Sequence, residues 1–299
     1  MHPEWPLILF TFFLCVAGGA LGAQGLLNVM GKGKKMQLAS LVTALAALVV
    51  GGLSVFMHLQ HWERIFNGFG HLTSGITQEL IAIVVLAAVA VAYLVMLRKS
   101  DDGASVPKWL AWLSVALSVA LVAVMAHSYT MAARPAWDSV LWILYVLGNA
   151  CVLGPATFAF LMAAAPPAGQ PAGRAADAGA PAGLAALVGA AANALAALAF
   201  AIFLQLSAGS FADVGYYFDP THPTEAMADA AATVGAQAPL LWLGAVAVGA
   251  IVPLAAAFMG RRSGNWRLWA PVAIIAALAG AVCMRVAFYN LGLSVFMFY

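Results

Sequence analysis

Eight long apolar runs restrict most strongly how this chain can fold. They lie at about residues 6–30, 36–59, 77–98, 107–131, 138–165, 182–207, 237–260 and 267–291. A helix needs roughly 20 apolar residues to cross the hydrocarbon core of a bilayer. Only 8% of the residues are charged, whereas soluble domains have about 25%, so most of the surface cannot face water. The sequence therefore predicts an all-α integral membrane protein with eight transmembrane helices.

The basic residues predict how these helices are oriented. Of the 13 basic residues, all except Arg64, Arg134 and Arg285 fall in the first, third, fifth and seventh connections or at their edges. Loops rich in Lys and Arg stay in the cytoplasm. Both termini are therefore expected on the outer side of the membrane.

A low-complexity segment, residues 166–182, interrupts the apolar pattern. Its Ala, Gly and Pro content is typical of a flexible linker, here on the cytoplasmic side. We expect the eight helices to form two four-helix bundles. Along the chain, the linker separates a first unit of residues 1–165 (helices 1–5) from a second of residues 183–299 (helices 6–8). The outer loop at 208–236, which contains aromatic residues at 216–218, is either a partly ordered cap that touches a partner or a simple solvated loop.

The chain lacks the ligand patterns of common redox centres. Cys15, Cys151 and Cys283 each lie alone in a different apolar run, so a cysteine-ligated cluster or zinc finger is not expected. The histidines that could be helical, His58 and His127, both lie at outer helix ends, which does not favour a haem with two axial histidines. The net charge of +2 does not suggest a nucleic-acid partner. We therefore predict no metal, haem or cluster in this chain.

His58 and Glu79 are the first candidates for chemistry. Helix 2 runs outward and ends at His58, and helix 3 returns inward with Glu79 in its first turn, so both side chains should lie at similar depth. An imidazole and a carboxylate in a helix-lined pocket can deprotonate a hydroxyl group, such as that of a quinol. Either residue alone could instead be an interfacial helix cap, but ionisable groups beside the hydrocarbon region are costly and therefore favour a function for the pair.

Three further residues are pocket candidates because of their depth. His127 and Tyr129 lie at the end of helix 4. Arg285 lies about 27 Å from the cytoplasmic end of helix 8, where it could pair with Glu79 or steer a quinone carbonyl. By default, we expect Arg285 to snorkel to the interface.

Several short motifs resemble the membrane anchor subunit of dimethyl sulfoxide reductase-type molybdoenzymes, the DmsC family. The resemblance is carried by the following residues in this order: Glu4-Trp5-Pro6-Leu7, Phe10, Cys15-Val16-Ala17-Gly18-Gly19, Met57-His58-Leu59, Arg64, Phe66, Asn67, Glu79, Gly154-Pro155, Arg285 and Phe288-Tyr289. It spans the chain and is densest in the first 80 residues.

The resemblance implies a haem-free anchor in the bacterial cytoplasmic membrane that oxidises menaquinol. Electrons would pass to an iron–sulfur subunit with four clusters and then to a molybdopterin catalytic subunit on the outer side. Members of the family use the residues that match His58 and Glu79 in quinol binding. After the His-Leu pair the family tends to have Gly-x-Pro, and this chain has Gln60-His61-Trp62. His61, Trp62 and Arg64 are therefore added to the quinol-pocket candidates.

Two other classes of function compete with this hypothesis. A secondary transporter or ion channel would place broken helices and polar groups at the bilayer midplane. In this sequence the mid-helix polar residues are few, namely Asn149, Thr157 and Asn193. A structural anchor that has lost its quinol site is the third alternative.

Overall fold

The computed structural model describes residues 4–58, 61, 70–164, 179–207 and 230–292, and these ranges contain helices and no β-strand. The α-helices are α1 (Trp5–Val29), α2 (Gln37–Phe56), α3 (Gly75–Lys99), α4 (Lys108–His127), α5 (Val140–Ala164), α6 (Gly179–Leu206), α7 (Ala230–Ala236), α8 (Val252–Ser263) and α9 (Trp266–Asn290), and a π-helix, Leu240–Ile251, precedes α8. Within the described ranges, eight helical segments are long and apolar enough to cross a membrane. The predicted all-α membrane fold is thereby confirmed.

Helix ends follow from local sequence. Pro6 lies in the first turn of α1, where its missing N–H is not needed for a helical hydrogen bond. Helix α8 ends at Ser263 and is followed by Gly264, whose φ of 71° is a left-handed conformation that glycine adopts without a steric penalty. The short connection after Gly264 leads directly into α9, so these two helices are antiparallel neighbours.

The apolar side chains of α2 separate into a packed face and an open face. Leu41, Ala44 and Leu48 are buried, whereas Val49 and Leu53 are 59% and 60% exposed. Such large apolar surface is unfavourable in water and is satisfied by lipid. The exposed face of α2 is therefore a lipid-facing surface.

The helices pack as two groups of four. Helices α1–α4 form the first bundle, and α5, α6, α9 and the segment Ala231–Ser263 form the second. Helix α5 packs most extensively on α6, so it groups with the helices that follow the linker, whereas the sequence analysis assigned it to residues 1–165. Residues 166–178 of the predicted linker and most of the 208–236 loop, including its 216–218 aromatic cluster, lie outside the described residues. The last four residues of the predicted linker, 179–182, belong to α6.

Helices α1 and α5 join the two bundles through a very close backbone contact. A Cβ atom on Gly19 would collide with the carbonyl oxygen of Ala150, and one on Gly154 would collide with the backbone of Gly19. Small residues permit such an approach between membrane helices. The hydrophobic core continues across this contact, from Ile8 to Leu291.

We call the end of the molecule at which α1 begins the top, and the opposite end the bottom. At the bottom, Lys34 Nζ lies 2.8 Å from Asp102 Oδ2. The hydrogen bond from Lys34 holds the pKa of Asp102 well below its usual value. The side chain of Asn28 both donates to the carbonyl of Val106 and accepts from its N–H. These contacts fix the two basic bottom connections to each other.

Candidate functional site

A cavity of about 830 Å³ lies at the top, where the first bundle meets α9. Its walls come from the top ends of α1, α2, α3 and α9 and from the connection between α4 and α5. The polar side chains along it belong to Glu4, His58, Ser74, Glu79, Ser128, Tyr129, Arg134 and Asn290. Between them the wall is apolar, with Leu7, Phe10 and Ile83 among the lining residues. This mixture of an apolar wall and a few polar groups is typical of a small-molecule site.

Glu79 is the buried acid of this cavity. Its side chain is in the first turns of α3 and is only 7% exposed. The hydroxyl of Ser128, which directly follows α4, donates a hydrogen bond to Glu79 Oε1. Because Ser128 comes from a neighbouring helix, this bond fixes the carboxylate toward the α4 side of the cavity.

His58 lies at the opposite, open side of the cavity. It follows the last turn of α2, and its side chain is 40% exposed. His58 Nδ1 lies 3.5 Å from Glu4 Oε2, at the beginning of α1. When Nδ1 carries the proton toward this carboxylate, Nε2 keeps the lone pair that can accept a proton from a ligand.

A cluster of aromatic rings closes the cavity on the α9 side. The ring of Tyr129 meets those of Trp137 and Tyr289 edge to face, with centroids 6.2 and 6.0 Å apart. Trp137 stacks on Phe288 at 4.7 Å and donates its indole N–H to the carbonyl of that residue. Burial raises the pKa of Tyr129 well above its usual value, so its phenol stays protonated and can act as a donor to a ligand.

Arg134 adds a positive charge at the same wall. Its guanidinium carbon lies 4.4 Å from the centroid of the Trp137 ring, which is within the range of a cation–π interaction. Both residues belong to the connection between α4 and α5. This connection is therefore part of the site and not only a link between helices.

The structure brings together three of the predicted site residues, because His58, Glu79 and Tyr129 line one cavity. His61 and His127 are described but do not line it, and Trp62 and Arg64 lie outside the described residues. His127 is exposed at the end of α4. Its Nδ1 lies 3.1 Å from the hydroxyl of Thr130.

The expectation that Arg285 snorkels to the interface is wrong. The side chain has 0% exposure, and it does not line the cavity. Its Nε donates to the Thr11 hydroxyl and its Nη1 to Asn149 Oδ1, both at 2.8 Å, and its Nη2 lies 3.3 Å from Cys15 Sγ. The guanidinium remains inside because neighbouring helices provide these acceptors. The side-chain amide nitrogen of Asn149 donates a hydrogen bond to Asn193 Oδ1. This bond extends the network into α6.

Sequence reasoning missed several residues of the cavity. Glu4, Ser128, Arg134, Trp137, Tyr289 and Asn290 line it without having been proposed as site residues. The position of Glu4 could have been predicted from its depth, because Glu4 precedes α1 at the same end of the molecule at which His58 follows α2. Ser128, Arg134 and Trp137 depend on how the α4–α5 connection folds over the helix ends. Tyr289 and Asn290 depend on how the last turn of α9 packs beside it.

In the part of the chain that the structure describes, no three His, Cys, Asp or Glu side chains form a group that could hold a metal ion. In comparisons with known proteins, no family model and no curated protein matches this chain. The resemblance to the DmsC family therefore stays a hypothesis that rests on the motifs.

Proposed function

We propose that this chain is the quinol-oxidising membrane anchor of a respiratory reductase, similar to the DmsC family. The observation that supports this proposal best is the single cavity in which His58, Glu79 and Tyr129 meet an apolar wall. Ligand pockets for drug-sized molecules have volumes of about 300–1,000 Å³, so a quinol ring fits a cavity of 830 Å³. The apolar wall suits the ring, and the polar groups suit its two hydroxyls.

In this proposal the quinol is the substrate, and His58 is the general base that faces one of its hydroxyls. The O–H bond breaks and its proton moves to His58 Nε2. Glu79 takes the proton of the second hydroxyl, and Ser128 holds the carboxylate in place through the hydrogen bond described above. The Tyr129 phenol donates to a ring oxygen. Oxidation releases two protons and two electrons, and the electrons leave to an acceptor in a partner subunit.

The partners in this proposal are a four-cluster iron–sulfur subunit and a molybdopterin catalytic subunit, which dock over the top of the molecule. Electron transfer requires the acceptor to be close to the quinol, and the cavity lies at the top. The membrane would be the bacterial cytoplasmic membrane, with both partners on its outer side. Menaquinol is the quinol that the family resemblance implies.

The test is quinol-dependent turnover of the complex in membranes that carry His58→Ala. Positioned acid–base catalysis is typically worth about 10²–10⁴-fold in rate, so most of this turnover should be lost, and Glu79→Gln should give a milder loss. Turnover driven by an artificial donor that reduces the partner subunits directly should survive. His127→Ala is the matched control, because this exposed histidine is at the same end but outside the cavity.

Wild-type quinol oxidation by a fully assembled His58→Ala complex would contradict this proposal. The same holds if His127→Ala reduces turnover as strongly as His58→Ala. A transporter, or an anchor without a quinol site, would show no dependence of quinol oxidation on either cavity residue.

A further inference from the structure

The carboxylate of Glu4 forms a pair with the imidazole that faces the cavity. Glu4 precedes α1 and His58 follows α2, so folding brings together two residues that are distant in sequence. Their side chains lie 3.5 Å apart, between Glu4 Oε2 and His58 Nδ1, with exposed fractions of 51% and 40%. Both residues line the cavity. The pair therefore connects the cavity to the solvent at the top.

The position of Glu4 does not indicate a structural role for its side chain. Glu4 is the N-cap residue of α1, yet its side chain makes no capping hydrogen bond. The half-exposed side chain has little packing to lose, and an exposed ion pair contributes little to stability. The contact of its carboxylate with His58 is therefore the feature that indicates a role in function.

We propose that Glu4 orients His58 and receives the proton that His58 releases from Nδ1 when its Nε2 takes a proton from the substrate. This inference rests on the proposed function, in which His58 is the base for quinol oxidation. A carboxylate at one imidazole nitrogen fixes the tautomer, so that the other nitrogen keeps its lone pair for the reaction. Glu4 acts through His58 and is therefore a positioning residue and not a catalytic one.

The proton path balances for each quinol oxidised. One quinol O–H bond breaks, and its proton binds to His58 Nε2. The proton on His58 Nδ1 then moves to Glu4 Oε2, from which water at the exposed side of the carboxylate removes it. The second proton goes to Glu79, and the two electrons pass to the acceptor of the partner subunit. These transfers leave the remaining proton of His58 on Nε2, so proton exchange with water at the open side of the cavity must return it to Nδ1 before the next substrate molecule reacts.

The experiment compares Glu4→Gln and Glu4→Asp in the intact complex in membranes. The amide of Glu4→Gln keeps the size of the side chain but cannot receive the proton. We expect kcat for quinol to fall by about tenfold to a hundredfold, at or below the lower end of the roughly 10²–10⁴-fold range for positioned acid–base help, with KM changed by less than about twofold. Glu4→Asp keeps a carboxylate and should recover most of the lost kcat.

Asp138→Asn provides the matched control. Asp138 is an exposed acid at the same end of the molecule that does not line the cavity. Its removal makes the same change in charge at the top and should leave kcat at the wild-type value. Turnover with the artificial donor, and the amount of assembled complex, should be normal in all three variants.

Any one of four results would overturn the inference. Two concern Glu4→Gln alone, namely a wild-type kcat or a change confined to KM. The other two are a kcat loss in Glu4→Asp, or in Asp138→Asn, as large as that in Glu4→Gln. If His58→Ala is inactive while Glu4→Gln is normal, the role of Glu4 fails and the proposed function stands. If His58→Ala oxidises quinol normally, the proposed function itself fails.

Discussion

Arg285 is a cation that the fold buries completely. Its hydrogen bonds to Thr11 and Asn149 reach across to α1 and α5, so one side chain joins the two bundles just below the cavity. Ionisable groups inside a membrane protein are costly unless neighbouring groups satisfy them. The network therefore stabilises the fold only while all of its hydrogen bonds are formed.

Replacing Arg285 with Met should destabilise the protein by roughly 1–3 kcal/mol, the usual cost of leaving buried polar groups unpaired. Thermal unfolding of the detergent-purified protein measures this loss. Arg267→Met is the control, because Arg267 is exposed on the same helix and should unfold as the wild type does. Equal melting temperatures for all three proteins would contradict the structural role of Arg285.

At the scale of single residues, the sequence is sufficient for features that depend only on how far a residue lies from the end of its helix. His58 and Glu79 lie at the ends of consecutive antiparallel helices, so their common cavity followed from their distance to the helix ends. The orientation of Arg285 did not follow, because it depends on the rotation of α9 and on Thr11, which is 274 residues away in sequence. Depth is a property of one helix, whereas hydrogen-bond partners require the packed arrangement.

Among the helices, the contact between α1 and α5 should be sensitive to added volume. Gly19→Ala places a methyl group against the carbonyl of Ala150, so the helices must separate and the protein should unfold at a lower temperature. Gly52→Ala is the matched control in α2, because a Cβ there has no atom within 4 Å. Alanine favours a helix by about 0.5–1 kcal/mol over glycine, so this variant should be equally or more stable. Similar melting temperatures for the two variants would show that the close contact is not important.

The number and positions of the spans could be predicted because each one needs enough apolar residues to cross a bilayer. The predicted fifth run at 138–165, for example, corresponds to α5 at Val140–Ala164. The π-helix at Leu240–Ile251 could not be predicted, since apolar composition is the same for either helix type. One of its carbonyls, that of Gly249, accepts a hydrogen bond from Asn193, which is again a contact between distant segments.

At the scale of the whole molecule, the low-complexity linker was a poor guide to the boundary between the two bundles. Its composition shows where the chain has little reason to fold, but helix packing determines which helices belong together. Helix α5 lies before the linker and packs most extensively on α6, after it. The α4–α5 connection, which joins the two bundles, is also the segment that supplies Arg134 and Trp137 to the cavity.

The orientation of the molecule determines on which side the cavity opens. In the sequence, ten of the 13 basic residues fall in or beside the first, third, fifth and seventh connections, the other three being Arg64, Arg134 and Arg285. The positive-inside rule therefore predicts that the bottom lies in the cytoplasm and that the cavity opens on the outer side. A reporter that is active only in the cytoplasm should therefore be active when inserted within 166–182 and inactive when fused after Tyr299. The reverse pattern would place the cavity, and any partner docked over it, in the cytoplasm.

If the chain oxidises quinol as proposed and has the predicted orientation, the quinol protons would leave on the outer side, where a reductase docked there would consume them. Turnover by itself should then build no membrane potential, which a potential-sensitive dye in sealed vesicles can measure.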